Sequence, residues 1–243
     1  MVIDKGTGFG AFCDILEMAA PYIDICKLGF GTSALYPPHL LQRKLEVARE
    51  YGLTIMPGGT FFEIARRRSS VAEYMEVLVS LGFNAVEISD GTFPLTHTER
   101  QEAIACAAEA GLAPFTEFGK KAAHFRAERD ALLKTLEEDV RAGAHYVIVE
   151  ARESGTVGVF DENGTIDIRF VRELTEAAGE ASRRLIWEAP RKEQQVSLLK
   201  ELGNHVNLGN IAVSDVLSLE TLRRGLRGDT AAIFDRGRNA ACE

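Results

Sequence analysis

The sequence predicts an α/β protein, a single-domain (β/α)8 TIM barrel. Three observations predict it. Short apolar runs that stop on a charged residue recur along the whole chain. Stretches with helical apolar spacing lie between them. Several of those stretches end on a glycine just before the next apolar run. Eight such units in 243 residues match the roughly 250 residues typical of this barrel.

The elements follow in order. Strands are expected over 2–4, 23–27, 53–56, 85–88, 112–117, 146–150, 185–188 and 206–208. Each is a short run of buried-type residues of the kind a parallel sheet takes. The second helical stretch carries Leu40, Leu41, Leu45, Val47 and Ala48, and the third carries Val71, Tyr74, Met75, Leu78 and Val79. The fifth carries Leu132, Leu133, Leu136 and Val140, and the seventh carries Val196, Leu198, Leu199 and Leu202. Gly52, Gly82, Gly111 and Gly143 stand where a helix ends and a short return loop begins. A glycine after the last helical turn accepts the left-handed backbone that closes it. The barrel is expected over 1–230, with a charged, Ala-rich C-terminal tail over 231–243.

A doubly wound open sheet is the rival fold. It would carry a G-x-G-x-x-G turn after the first strand, and Gly6-Thr7-Gly8-Phe9-Gly10 has the wrong spacing. Hydrophobic residues make up 46% of the chain, enough for one substantial core. A net charge of -8 disfavours nucleic acid and anionic membrane as partners. The apolar runs are too short to span a bilayer, and no signal peptide is visible. Four scattered cysteines form neither a zinc cluster nor a disulfide framework, so a reduced, cytoplasmic location is expected. A homo-oligomer is also expected. There is no G-x-S-x-G elbow, Walker A sequence or His-Glu-x-x-His helix. The five histidines lack ligand spacing and take no role.

Charge at the same end of six of these strands is costly unless those ends meet in a site. In a barrel they do meet, at the C-terminal mouth. Glu117, Glu150 and Glu188 are strand-end carboxylates suited to Mg²⁺, which takes oxygen ligands. Asp4 and Asp90 are further candidate metal ligands. Each carboxylate would alternatively sit in a structural ion-pair network with Lys5, Lys27 or Arg152. Lys5 and Lys27 end strands and would bind an anion, or form a Schiff base if desolvated. Lys120 and Lys121 follow a glycine after the fifth strand and are candidate proton donors. Arg152, Ser154 and Gly155 offer a guanidinium, a hydroxyl and a backbone amide for an oxyanion. Asn210, in the Leu208-Gly209-Asn210-Ile211 turn, precedes a helix expected near Ser214 and Asp215, where an anion would bind. Arg223, Arg224 and Arg227 rank second for that role. Gly59, in Pro57-Gly58-Gly59-Thr60, lets a ligand approach the backbone or simply makes a tight turn.

These segments resemble the phosphosulfolactate synthase family nearly end to end. The resemblance is carried by V-I-D-K-G, K-L-G-F-G-T-S, P-G-G-T-F-F-E and L-G-F-N-A-V-E-I-S-D-G. It continues through T-E-F-G-K-K, V-I-V-E-A-R-E-S-G, W-E-A-P-R-K-E-Q-Q and S-L-E-T-L-R-R-G-L-R-G-D. It implies a (β/α)8 barrel that adds sulfite to phosphoenolpyruvate with Mg²⁺, giving (2R)-3-sulfolactate 2-phosphate. That product serves coenzyme M synthesis in methanogens and sulfolactate formation in some bacteria. The resemblance makes Lys121 the leading proton donor, with Lys120 beside it. Two alternatives stay open: a Schiff-base aldolase or lyase, and a stress-associated relative that is non-catalytic or acts differently.

Overall fold

The computed structural model describes residues 1–120 and 125–232. Parallel strands alternate with helices throughout. The strands are β1 (Val2–Asp4), β2 (Ile25–Leu28), β3 (Thr54–Pro57), β4 (Ala85–Ile88), β5 (Ala113–Phe118), β6 (Tyr146–Val149), β7 (Leu185–Glu188), β8 (Leu208–Gly209) and β9 (Ile211–Ala212). The helices are α1 (Phe9–Ala19), α2 (Pro38–Glu50), α3 (Gly59–Ala65), α4 (Val71–Leu81), α5 (His97–Glu109), α6 (Arg129–Ala142), α7 (Ile168–Ala178), α8 (Lys192–Leu202) and α9 (Val216–Arg223).

Backbone pairing runs β3-β2-β1-β9 in one sheet and β4-β5-β6-β7-β8 in the other. The two sheets meet at two seams. At one, β8 and β9 form a single strand interrupted by Asn210, whose φ is 57°. At the other, the Asn84 side chain stands in for the ladder between β3 and β4. Its Oδ1 accepts from the Ile55 amide at 2.7 Å, and its Nδ2 donates to the Leu53 carbonyl at 3.1 Å.

The period-2 alternation of each strand divides two cores. Ile25, Met56, Ala85, Phe115, Ile148 and Ile186 point inward and fill the barrel. The outward set, including Cys26, Ile55, Val86, Val147 and Trp187, packs beneath the helices with Leu45, Leu78, Leu136 and Leu198. Burying each large apolar side chain contributes on the order of 1.5–3 kcal/mol. Gly82 and Gly143 close α4 and α6 with φ of 102° and 114°. Both are left-handed caps, as the sequence pattern predicts.

Three local departures have physical reasons. Residues 23–24 of the second expected strand follow a 3-10 turn over Ala20–Tyr22, and pairing starts at Ile25. The eighth strand begins at Leu208 and resumes after Asn210. Pro57-Gly58-Gly59 leads straight into α3, which the sequence reads as a turn. The described part of the C-terminal tail extends to residue 232.

Candidate active site at the barrel mouth

Two residues beyond the inner apolar layer, the same alternation places the next inward side chains. Ile25 is followed by Lys27, Ala85 by Glu87, Phe115 by Glu117, Ile148 by Glu150 and Ile186 by Glu188. All five line one cavity of about 260 Å³ at the C-terminal ends of the strands. Ile3, Gly58, Gly59, Phe30, Arg152, Glu153 and Asn210 complete much of its wall. The four glutamates are no more than 4% exposed.

Lys27 organises this layer. Its Nζ lies 3.0 Å from Glu87 Oε1 and 3.0 Å from Glu188 Oε1. Burial by itself would push its pKa down, but Glu188, Glu87, Glu117 and Glu150 outweigh burial and hold it well above 10.5. A Schiff-base lysine needs the opposite, a neutral amine near neutral pH. Other oxygens of the four glutamates are also directed. Glu87 Oε2 accepts from the Gly59 amide at 2.5 Å. Glu188 Oε2 accepts from the Ala151 amide at 3.1 Å, and Glu150 Oε1 from the Arg152 amide at 2.5 Å. Glu117 Oε1 lies 2.8 Å from Ser89 Oγ.

Strain gathers at the same place. Among the described residues, the non-glycines with positive φ are Phe30 (56°), Arg152 (63°) and Asn210 (57°). All three line this cavity. Such conformations cost about 1–3 kcal/mol each and persist where the surroundings hold them. Asn210 is held by Nδ2 donating to the Arg152 carbonyl at 3.0 Å.

Several sequence candidates lie elsewhere. Asp4 follows the inward Ile3, so it points outward. Its carboxylate pairs with the buried Lys44 of α2 and accepts from the Gly6 and Thr7 amides. Asp90 faces Arg100 and Lys120 outside the cavity. In this structure both carboxylates face these partners, and neither lines the cavity. Lys120 donates to the Asp90 carboxylate at 2.7 Å and to its carbonyl at 3.0 Å. Lys5 reaches the Glu153 carboxylate at 2.5 Å on the rim. Ser154 is exposed against Thr156, and Gly155 packs on Gln194, so neither lines the cavity. Arg223 donates to the Asn204 and Val206 carbonyls. It lines a larger cavity, about 590 Å³, at the opposite end of the barrel, away from the charged layer. Lys121 lies outside the described residues.

The donor set at the mouth is of the kind Mg²⁺ takes: carboxylate oxygens, with room for water. Among the described residues, no three His, Cys, Asp or Glu side chains converge as they stand to hold a metal ion. Lys27 accounts for part of this, since it engages Glu87 and Glu188. Mg²⁺ commonly uses one or two carboxylates and completes its shell with waters and substrate oxygens. Glu117 and Glu150 fit that smaller role.

The family model described as (2R)-phospho-3-sulfolactate synthase (ComA) matches residues 1–229. The chain belongs to this family. Phosphosulfolactate synthase from Methanothermobacter thermautotrophicus is 41% identical over 237 residues, covering 95% of this chain and 90% of that protein. The enzyme of the same name from Methanocaldococcus jannaschii is 41% identical over 233 residues, covering 95% and 92%. Among solved structures, 3-hexulose-6-phosphate synthase from Salmonella typhimurium superposes with a TM-score of 0.57 at 13% identity, covering 95% of this chain and 92% of that one. That likeness shows a shared barrel fold.

In this phosphosulfolactate synthase family member, Glu87 was the residue the sequence underused. Its parity with Lys27, each two residues past an inward apolar residue, is the signal that finds it. Ser89, two residues beyond Glu87, shares that parity, whereas Glu63 gives no such signal, because its place depends on how α3 crosses the mouth.

Proposed function

We propose that this protein is a phosphosulfolactate synthase, an enzyme of the carbon-sulfur lyase class. It adds sulfite to phosphoenolpyruvate and gives (2R)-3-sulfolactate 2-phosphate. One observation carries the reading: the family match runs over residues 1–229, so every strand end that builds the mouth falls inside it.

The residue types suit the chemistry. The sulfite sulfur donates its lone pair to the methylene carbon of phosphoenolpyruvate and forms the C–S bond. The alkene electrons move onto the carboxylate, which becomes an aci-carboxylate dianion. A proton then reaches carbon 2 from one face. Mg²⁺, when bound, supplies positive charge for that carboxylate as negative charge builds there. Glu117 and Glu150 would hold it. Lys27, fixed by Glu87 and Glu188, presents a permanent cation to the anionic substrates. Arg152 and Asn210 line the rim and would contact a phosphate or sulfonate oxygen. The proton donor is Lys121, with Lys120 as the alternative if it leaves Asp90.

A cytoplasmic location suits the free cysteines Cys13, Cys26 and Cys106. Among the described residues, no helix is long and apolar enough to cross a membrane. Homo-oligomer assembly belongs to the same reading and is checked by light scattering. The activity is tested by mixing pure protein with phosphoenolpyruvate, sulfite and Mg²⁺. Phosphoenolpyruvate should disappear only when all three are present. Its persistence with either Mg²⁺ or Mn²⁺ would sink the proposal.

A further inference from the structure

Glu117 is held from behind. Ser89 lies two residues beyond Glu87 on the same inward parity and is fully buried. Its Oγ is 2.8 Å from Glu117 Oε1 and 2.7 Å from Glu63 Oε1. A hydroxyl has one proton, so it serves the two carboxyl groups in turn. Glu63, on α3, is itself fully buried. Its Oε2 accepts from the Thr92 and Phe93 amides at 2.8 and 2.6 Å. The loop after β4 therefore anchors Glu63, Glu63 anchors Ser89, and Ser89 meets Glu117.

The approach of α3 to this group demands a glycine. A Cβ on Gly59 would fall 2.5 Å from Ser89 Cβ and 3.1 Å from Glu87 Cγ. The Gly59 amide also holds Glu87. The segment from Gly59 to Glu63 thus sets two of the mouth carboxylates, one directly and one through Ser89.

We propose that Ser89, anchored by Glu63, is a positioning residue that fixes the Glu117 carboxylate in its working orientation. This rests on the reading of Glu117 as a metal-binding carboxylate. Partners in this outer layer orient the groups that touch a metal, and removing one typically costs about 10- to 100-fold in affinity or activity.

The test is a double-mutant cycle on Ser89→Ala and Glu117→Gln, with two readouts. Mn²⁺ binding to substrate-free protein is followed by electron paramagnetic resonance, and kcat/KM is measured in parallel. Ser89→Ala should weaken Mn²⁺ binding and lower kcat/KM by about 10- to 100-fold. In the Glu117→Gln background it should add no more than about 2-fold. Glu63→Gln, which keeps the side-chain shape, should shift both readouts in the same direction as Ser89→Ala. Near-UV circular dichroism checks that each variant keeps its fold. The proposal is overturned if Ser89→Ala leaves both readouts within about 2-fold, or if its effect multiplies with that of Glu117→Gln. Wild-type protein that binds no Mn²⁺ would overturn the metal reading, while the kcat/KM cycle would still decide whether Ser89 acts through Glu117.

Discussion

Lys27 and the carboxylates around it set the character of the mouth. A buried ammonium is tolerated because Glu87 and Glu188 lie at hydrogen-bond distance. Glu117 and Glu150 sit in the same layer with backbone or hydroxyl donors directing them. Their assigned role predicts that Glu117→Gln and Glu150→Gln each lower kcat/KM by about 100-fold or more and raise the Mg²⁺ concentration needed for half-maximal rate. Asp90→Asn, outside the cavity, should leave kcat within about 3-fold under the same assay. Asp4 gives the contrasting case. It is a strand-end carboxylate that the sequence offers as a ligand, yet one residue of parity sends it to Lys44. Asp4→Asn should destabilise the fold by about 3–5 kcal/mol, because it leaves a buried ammonium without its counter-charge. A urea titration would read this as a lower midpoint at unchanged slope.

At the level of elements, the strands carried most of what the sequence could tell. Short apolar runs located the eight expected strands within a few residues, six of them marked by a charge at the end of the run, since a buried parallel strand tolerates little else. The parity of charge against the inner apolar layer was equally legible, and it separates Glu87 from Asp4. What stayed hidden depends on contacts between segments distant in sequence. Helix α3 follows a Pro-Gly-Gly sequence that reads locally as a turn, and its glycine is explained only by the closeness of Ser89. Ser154 and Gly155 look like an oxyanion loop, but Gly155 is needed because Gln194 packs against it. Nothing local marks Asn84 as the bridge between β3 and β4. Asn84→Ala should cost about 1–3 kcal/mol, since the Ile55 amide and Leu53 carbonyl lose their partner. Hydrogen exchange of the Ile55 amide should speed up more than that of amides in β5 and β6. Equal change across the barrel would argue against a local seam.

The whole molecule is a packed barrel that concentrates charge and backbone strain at one end. Its apolar layer beneath Lys27 and the glutamates separates that end from the opposite face. An anionic substrate pair and a dication would share a cavity of about 260 Å³. A metal that binds the folded mouth and not the unfolded chain must stabilise the fold. Melting temperature should therefore rise with added Mg²⁺ and fall back with EDTA. At one hundred times the dissociation constant the gain is about 2.7 kcal/mol. Glu117→Gln should flatten that rise, whereas Asp4→Asn should melt earlier yet keep the Mg²⁺ response.

The most direct test of the central claim is phosphorus and proton NMR of wild-type protein with phosphoenolpyruvate, sulfite and Mg²⁺ in D₂O. The enol phosphate signal should give way to one alkyl phosphate product. That product should carry a sulfonate on its methylene carbon and one deuterium at carbon 2. An enol phosphate signal that persists, or one that decays at the same rate without sulfite, would contradict it.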